Sequence, residues 1–89
     1  MLERELTVSN RLGLHARATA KLVQALAPFR CSVTLQAKGR EVNAKSIMGV
    51  MLLAAGQGTP VIVRTDGEDE GSAMEAVVAL FECRFDEGA

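Results

Sequence analysis

The chain has no tryptophan and no tyrosine, and phenylalanine occurs only as Phe29, Phe81 and Phe85. That excludes an aromatic platform for stacking nucleic-acid bases. Positive charge is not in excess either: ten Lys and Arg stand against eleven Asp and Glu, for a net charge of −1. A general nucleic-acid binder needs a basic stripe, so no nucleic-acid partner is expected. Long apolar runs are missing. Runs such as Val50 to Ala55, none longer, fall far short of the ~20 residues of a membrane span, so no membrane insertion is expected. The opening Met1-Leu2-Glu3-Arg4-Glu5 lacks the basic-then-apolar pattern of a signal peptide, which makes the cytoplasm the expected location. Cysteine is limited to Cys31 and Cys83, no CxxC occurs, and His15 is the only histidine. A zinc site needs about four ligands. No metal and no cofactor is therefore expected, and the cysteines read as free thiols of a reducing compartment.

What is present is apolar content of 48% in 89 residues, enough for a single domain over 1–89 with a thin core. Charge is unevenly spread. Asp66, Glu68, Asp69, Glu70 and Glu75 crowd one segment, while Arg11, Arg17, Lys21, Arg30, Lys38, Arg40 and Lys45 precede it. The basic half either meets acidic partner surfaces or forms one pole of a solvated dipole.

Hydrophobic spacing predicts the elements. Leu2, Leu6 and Val8 alternate with polar residues, with Arg4 as the flaw, and predict a strand. Leu22, Val23, Leu26 and Ala27, joined by Thr19, predict a helix over 16–27 that Pro28 stops. Val33, Leu35 and Ala37 predict a half-buried strand. Lys38-Gly39 turns it into a return strand over 40–43. Ser46 reads as the N-cap of a short helix carrying Ile47, Met48, Val50, Met51, Leu52 and Leu53, ended by Gly56-Gln57-Gly58. Val61-Ile62-Val63 is a β-branched strand that Asp66-Gly67 turns. Ala73, Ala76, Val77, Leu80 and Phe81 predict the last helix, opened by a Ser72 to Glu75 capping box or by an earlier start near Asp69. The order is β-α-β-β-α-β-α, an α+β fold with one four-stranded antiparallel sheet and three helices on one face.

His15 lies in Gly13-Leu14-His15-Ala16-Arg17, where a loop becomes a helix. The first amides of a helix lack intrahelical partners and carry the positive end of its dipole. An anion on the imidazole would sit among those donors. The neutral ring supplies the lone pair for attack on phosphorus. Arg17 would offer a planar fork to phosphoryl oxygens, Gly13 permits a sharp entry, and Ala16, Ala18 and Ala20 would leave the ring open. On residue type alone, a passive polar histidine before a helix explains the same position.

Two segments break that tie. Gly13-Leu14-His15-Ala16-Arg17-Ala18-Thr19-Ala20 resembles the phosphohistidine signature of the histidine-containing phosphocarrier, or HPr, family, and Asn43-Ala44-Lys45-Ser46-Ile47-Met48-Gly49 resembles its second signature, around a regulatory serine. The likeness spans essentially the whole chain and implies an open-faced β-sandwich. It also implies a relay in the phosphoenolpyruvate-dependent phosphotransferase system: phosphorylated enzyme I charges Nδ1 of His15, Arg17 assists, and an enzyme IIA protein receives the group. The carrier would be a stoichiometric participant rather than an enzyme, and a monomer. Ser46 would be the target of an HPr kinase/phosphorylase. The family usually has proline where this chain has Ala18; alanine is a strong helix former, so function is expected to survive. Leu12, with Ala79-Leu80-Phe81 and Phe85-Asp86-Glu87, looks more like the nitrogen-related branch, which serves regulation rather than sugar uptake.

Ile47, Met48 and Met51 cannot all face the core with Leu52 and Leu53. Some are expected to form an apolar docking patch with Ala16, Thr19 and Ala20, ringed by Arg11, Lys21 and Lys45. Two other readings stand beside the carrier. One is a regulatory module of the same fold, toggled by phosphorylation. The other is an unrelated α+β ligand-binding domain.

Overall fold

The computed structural model describes residues 1–86. Its elements are β1 (Leu2–Thr7), α1 (Ala16–Leu26), β2 (Ser32–Ala37), β3 (Arg40–Asn43), α2 (Ile47–Leu52), β4 (Pro60–Asp66) and α3 (Glu70–Glu82). The strands form one antiparallel sheet in the order β1-β4-β2-β3. This is the expected α+β architecture. Pro60 is tolerated in the sheet because it opens β4. Lys38 and Gly39, at φ 53° and 76°, make the two-residue turn between β2 and β3, the left-handed pair that matches strand twist.

One sheet face supplies Val33, Leu35, Val61, Val63 and Thr65 to the core, where Leu22, Leu26, Val50, Val77 and Phe81 of the helices meet them. On the other face Arg64 ties all four strands together. Its Nε donates to Glu3 of β1 at 2.6 Å, and its Nη1 donates to Gln36 of β2 at 2.9 Å and to Glu41 of β3 at 2.8 Å. These carboxylates hold the Arg64 guanidinium above its ordinary pKa, Glu3 foremost.

The β1 alternation is realised only at its end. Leu6 is half-buried and Val8, just past the strand, is fully buried, while Leu2 and Arg4 are exposed. The sheet order explains this, since β1 is an edge strand. Ala27, expected on the buried face of α1, is its exposed C-cap. α2 ends before the glycines: Leu53 caps it, and Ala54 at φ 49° reverses the chain.

The Ser72 capping box is not made. α3 starts at Glu70, with Asp69 at the N-cap position. The Asp69 carboxylate reaches across the fold and accepts from the amides of Arg30 at 2.8 Å and Cys31 at 2.9 Å. Those bonds, that from Arg30 first, hold Asp69 below its ordinary pKa of 3.8. Glu70 is lowered from 4.5, chiefly by the Gly67 amide and then by the N-terminal ammonium. Both folded pKa values lie below the unfolded ones. Their stabilisation is therefore complete above the ordinary carboxylate range and is lost as pH falls through it toward the depressed values. Asp69→Asn is expected to flatten the acid limb of the stability curve, checked by urea unfolding between pH 2 and 7.

After α3 the chain makes a tight turn, Arg84–Asp86, in which all three residues have positive φ. It is anchored by the ring of Phe85, buried 5.2 Å from that of Phe81, and by Lys21 of α1, whose Nζ donates to the Phe85 carbonyl at 2.8 Å. Of the segment read as nitrogen-type, Glu87 lies outside the described residues.

Candidate functional site

The entry to α1 is built on a backbone approach that only glycine allows. Gly13 has φ +68°, and a Cβ there would lie 2.5 Å from the Ala55 carbonyl oxygen and 2.7 Å from Cα of Gly56. The next amide, Leu14, donates to that same Ala55 carbonyl at 2.9 Å. Asn10, fully buried, donates through Nδ2 to the Gly13 carbonyl at 2.7 Å. The loop is thus clamped from both sides, and Leu14 is seated in the core.

His15 follows as the N-cap of α1, with extended backbone at φ −77° and ψ −179°. Its ring is the cap: Nδ1 accepts from the Arg17 amide at 3.2 Å. That hydrogen bond is made to the Nδ1 lone pair, so in this geometry Nδ1 is the acceptor nitrogen of the ring. The atom that can act as a nucleophile therefore sits at the end of the helix where amides point outward and an anion is stabilised. The His15 carbonyl accepts from the Thr19 amide at 2.9 Å, which locks the first turn. Arg17 is exposed and makes no ion pair among the described residues.

The small neighbours divide. Ala16 is exposed and Ala20 half-buried, but Ala18 is fully buried. Proline's usual place is thus a core position on the inner side of α1. Thr19, expected at the docking surface, is also fully buried and its Oγ1 donates to the Leu14 carbonyl at 3.2 Å. It braces the loop from beneath and is not available to a partner. Sequence spacing had placed it on the helix's buried face with Leu22 and Leu26, and that signal was the correct one.

Ser46 caps α2, accepting through Oγ from the Gly49 amide at 3.1 Å. On α2, Val50 is buried and followed by buried Leu53, while Ile47, Met48, Met51 and Leu52 are exposed. Leu12, beside the Gly13 clamp, is exposed as well. Leu52 is the residue that the sequence reading left with the core; it follows Met48 by one helical turn and shares its outward face. α2 packs beside α1, and the segment just after it cradles Gly13. Two of the three cations expected around this patch serve the fold instead. Lys45 donates to the Phe29 carbonyl and Lys21 is tied to the C-terminal turn, which leaves Arg11 exposed.

Cys31 is buried and Cys83 exposed, both as free thiols. Burial, and then the Asp69 carboxylate, pushes the Cys31 thiol above its ordinary pKa. Among the described residues no group of three His, Cys, Asp or Glu side chains is placed to hold a metal, and no helix is long and apolar enough to cross a membrane.

A family model described as the HPr component phosphorylation site of the phosphotransferase system matches residues 2–83. The chain belongs to the HPr family of phosphocarriers. It is 70% identical over 98% of both chains to the phosphocarrier protein HPr of Xylella fastidiosa. It is 35% identical, over 99% of this chain and 97% of the other, to the phosphocarrier protein NPr of Shewanella violacea. In three dimensions it superposes on the crystal structure of HPr-C-His from Thermoanaerobacter tengcongensis with a TM-score of 0.94 at 40% identity, covering 98% of both chains. The fold class and the family inferred from the two signatures both hold.

Proposed function

We propose that His15 carries the phosphoryl group, accepting it from phosphorylated enzyme I and yielding it to a histidine of an enzyme IIA protein. The observation that carries this reading is the Nδ1 lone pair held at the N-terminus of α1, 3.2 Å from the Arg17 amide. In the transfer an N–P bond forms at Nδ1 as the donor's bond to phosphorus breaks, and the bonding pair returns to the donor. The amides of the first turn then face phosphoryl oxygens rather than the ring, and the exposed Arg17 guanidinium adds a charge-assisted fork. Those contacts stabilise the charged group without a metal from the carrier, and the reversed step regenerates it. The chain acts as a stoichiometric carrier rather than an enzyme. Residues 1–89 serve as one carrier domain, a monomer of the cytoplasm.

Leu12, Ile47, Met48, Met51 and Leu52, with Ala16 and Ala20, form the surface on which both partners dock. The exposed apolar side chains on α2, the helix packed against α1, support this. An HPr-type role in the phosphotransferase relay is favoured over a nitrogen-type regulatory one by 70% against 35% identity to the respective relatives.

The test is incubation with enzyme I, phosphoenolpyruvate and magnesium, followed by addition of an enzyme IIA protein. Acid-labile phosphate appears on the chain and then moves to the acceptor. No label on the native chain would refute the proposal, and label that never leaves would reduce it to mere modification.

Ser46 is the regulatory site of the proposal, a target for an HPr kinase/phosphorylase. A phosphate there adds about −1.5 to −2 charges beside the docking surface, at a helix end that tolerates an anion. Ser46→Ala is expected to cost about 1 kcal/mol of stability through the lost cap. Ser46→Asp keeps a capping side chain and the stability, but slows phosphoryl transfer from an acidic donor. Denaturant unfolding and transfer rates on the two variants separate the roles.

A further inference from the structure

The chain has four methionines, and their placement is not uniform. Met74 is 4% exposed within the core side of α3. Met48 and Met51 are 77% and 46% exposed and lie three residues apart on α2, so their thioethers share one outward face. Met1 is exposed too, but its amino group pairs with Glu70 at the start of α3, on a different part of the molecule. The docking surface proposed above thus includes Met48, its most exposed apolar side chain, and Met51 beside it, two accessible and oxidisable sulfurs on one short helix.

We infer that Met48 and Met51 form a reversible oxidation site through which peroxides turn down phosphoryl flow through the carrier. This rests on the reading of α2 as the docking face. A thioether lone pair attacks the terminal peroxide oxygen and an S–O bond forms. The O–O bond breaks, and the departing oxygen leaves as water or an alcohol after taking a proton. Sulfur is oxidised by two electrons and the peroxide is reduced by two. The product is a sulfoxide, polar and a strong hydrogen-bond acceptor, where a flexible apolar side chain had been. An apolar partner that covers it must bury an acceptor without a donor. The fold itself has little at stake, because neither thioether is in the core. The change is therefore confined to recognition, and thiol-dependent sulfoxide reduction restores it.

The test uses the Cys83→Ser chain, which lacks the exposed thiol that would also react with peroxide. After hydrogen peroxide treatment, peptide mass spectrometry locates the added oxygen, and the second-order rate of phosphorylation by phosphorylated enzyme I is measured. Met48 and Met51 gain oxygen well before Met74, and the rate falls roughly tenfold, as expected for burying an unpaired acceptor. Circular dichroism stays native, and a methionine sulfoxide reductase with a dithiol restores the rate. A Met48→Leu, Met51→Leu double variant, compared only with its own untreated rate, does not slow on treatment. An undiminished rate with both sulfoxides in place overturns the inference, as does an equal loss in the leucine variant. If the untreated chain takes no phosphoryl group at all, the carrier reading fails, and this inference falls with it.

Discussion

His15→Ala is expected to take no phosphoryl group from phosphorylated enzyme I, leaving label at background, while remaining folded. The substitution removes the nucleophile and the cap together. The second effect is the smaller: losing a side-chain cap costs about 1 kcal/mol, and the first turn keeps its anchor through the bond from the Thr19 amide to the carbonyl of residue 15. A chain that unfolds cooperatively near the native midpoint yet accepts nothing separates chemistry from stability. Arg17→Ala should retain the acceptor and slow the transfer by roughly 10²-fold, the effect of removing one donor aimed at developing charge. If His15→Ala takes up acid-labile phosphate as the native chain does, another residue is the acceptor.

Gly13→Ala is expected to be the most damaging of the conservative changes near the site. Two faults coincide there. The backbone is left-handed at φ +68°, and the new Cβ would approach the Ala55 carbonyl oxygen to 2.5 Å. Neither neighbour is a flexible side chain that can swing aside; both are backbone. Strained dihedrals cost about 1–3 kcal/mol and overpacking about 1–3 kcal/mol, so a loss of roughly 2–6 kcal/mol follows. Relief requires the loop to lift off Ala55–Gly56, breaking the Leu14 bond and carrying His15 with it. Transfer should therefore fall in the fraction of protein that remains folded, beyond what the unfolded fraction explains. Gly39→Ala is the control: its φ is also left-handed, at +76°, but no atom lies within 4 Å of its Cβ. It should cost stability and leave transfer per folded molecule unchanged.

The seven elements were legible because the buried faces of β2, β4 and α3 repeat at strand or helix spacing, and because Pro28 and Lys38-Gly39 punctuate them. What escaped was non-local. Nothing in the local pattern tells Asp69 to spend its carboxylate on the amides of Arg30 and Cys31, far away in the chain, so a capping box inside the helix looked as good. β1 looked half-buried because local alternation carries no information on which strand stands at the edge. At the site, Ser46 as a cap was readable from residue type before an apolar run, and His15 from its place just before a helix, but the capping role of its ring was not. Thr19 was misplaced for an instructive reason. It was grouped with its neighbour Ala20 at the docking patch, whereas its spacing with Leu22 and Leu26 indicated the core, and the Leu14 carbonyl satisfies the hydroxyl there. The clamp on Gly13 was only half visible: the need for an unusual φ could be suspected, but the approach to Ala55 could not. The lysines were misjudged because a cation's partner can be a backbone carbonyl anywhere in the fold, as for Lys21 and Lys45.

The proposed transfer depends on one atom, Nδ1 of His15, and on its place before the Arg17 amide. The direct measurement is nitrogen and phosphorus NMR on 15N-labelled protein charged by enzyme I and phosphoenolpyruvate. A one-bond coupling from phosphorus to Nδ1 is expected, together with a large shift of the Arg17 amide proton as its acceptor changes from ring nitrogen to phosphoryl oxygen. Coupling to Nε2, or phosphate on any residue other than His15, would contradict it.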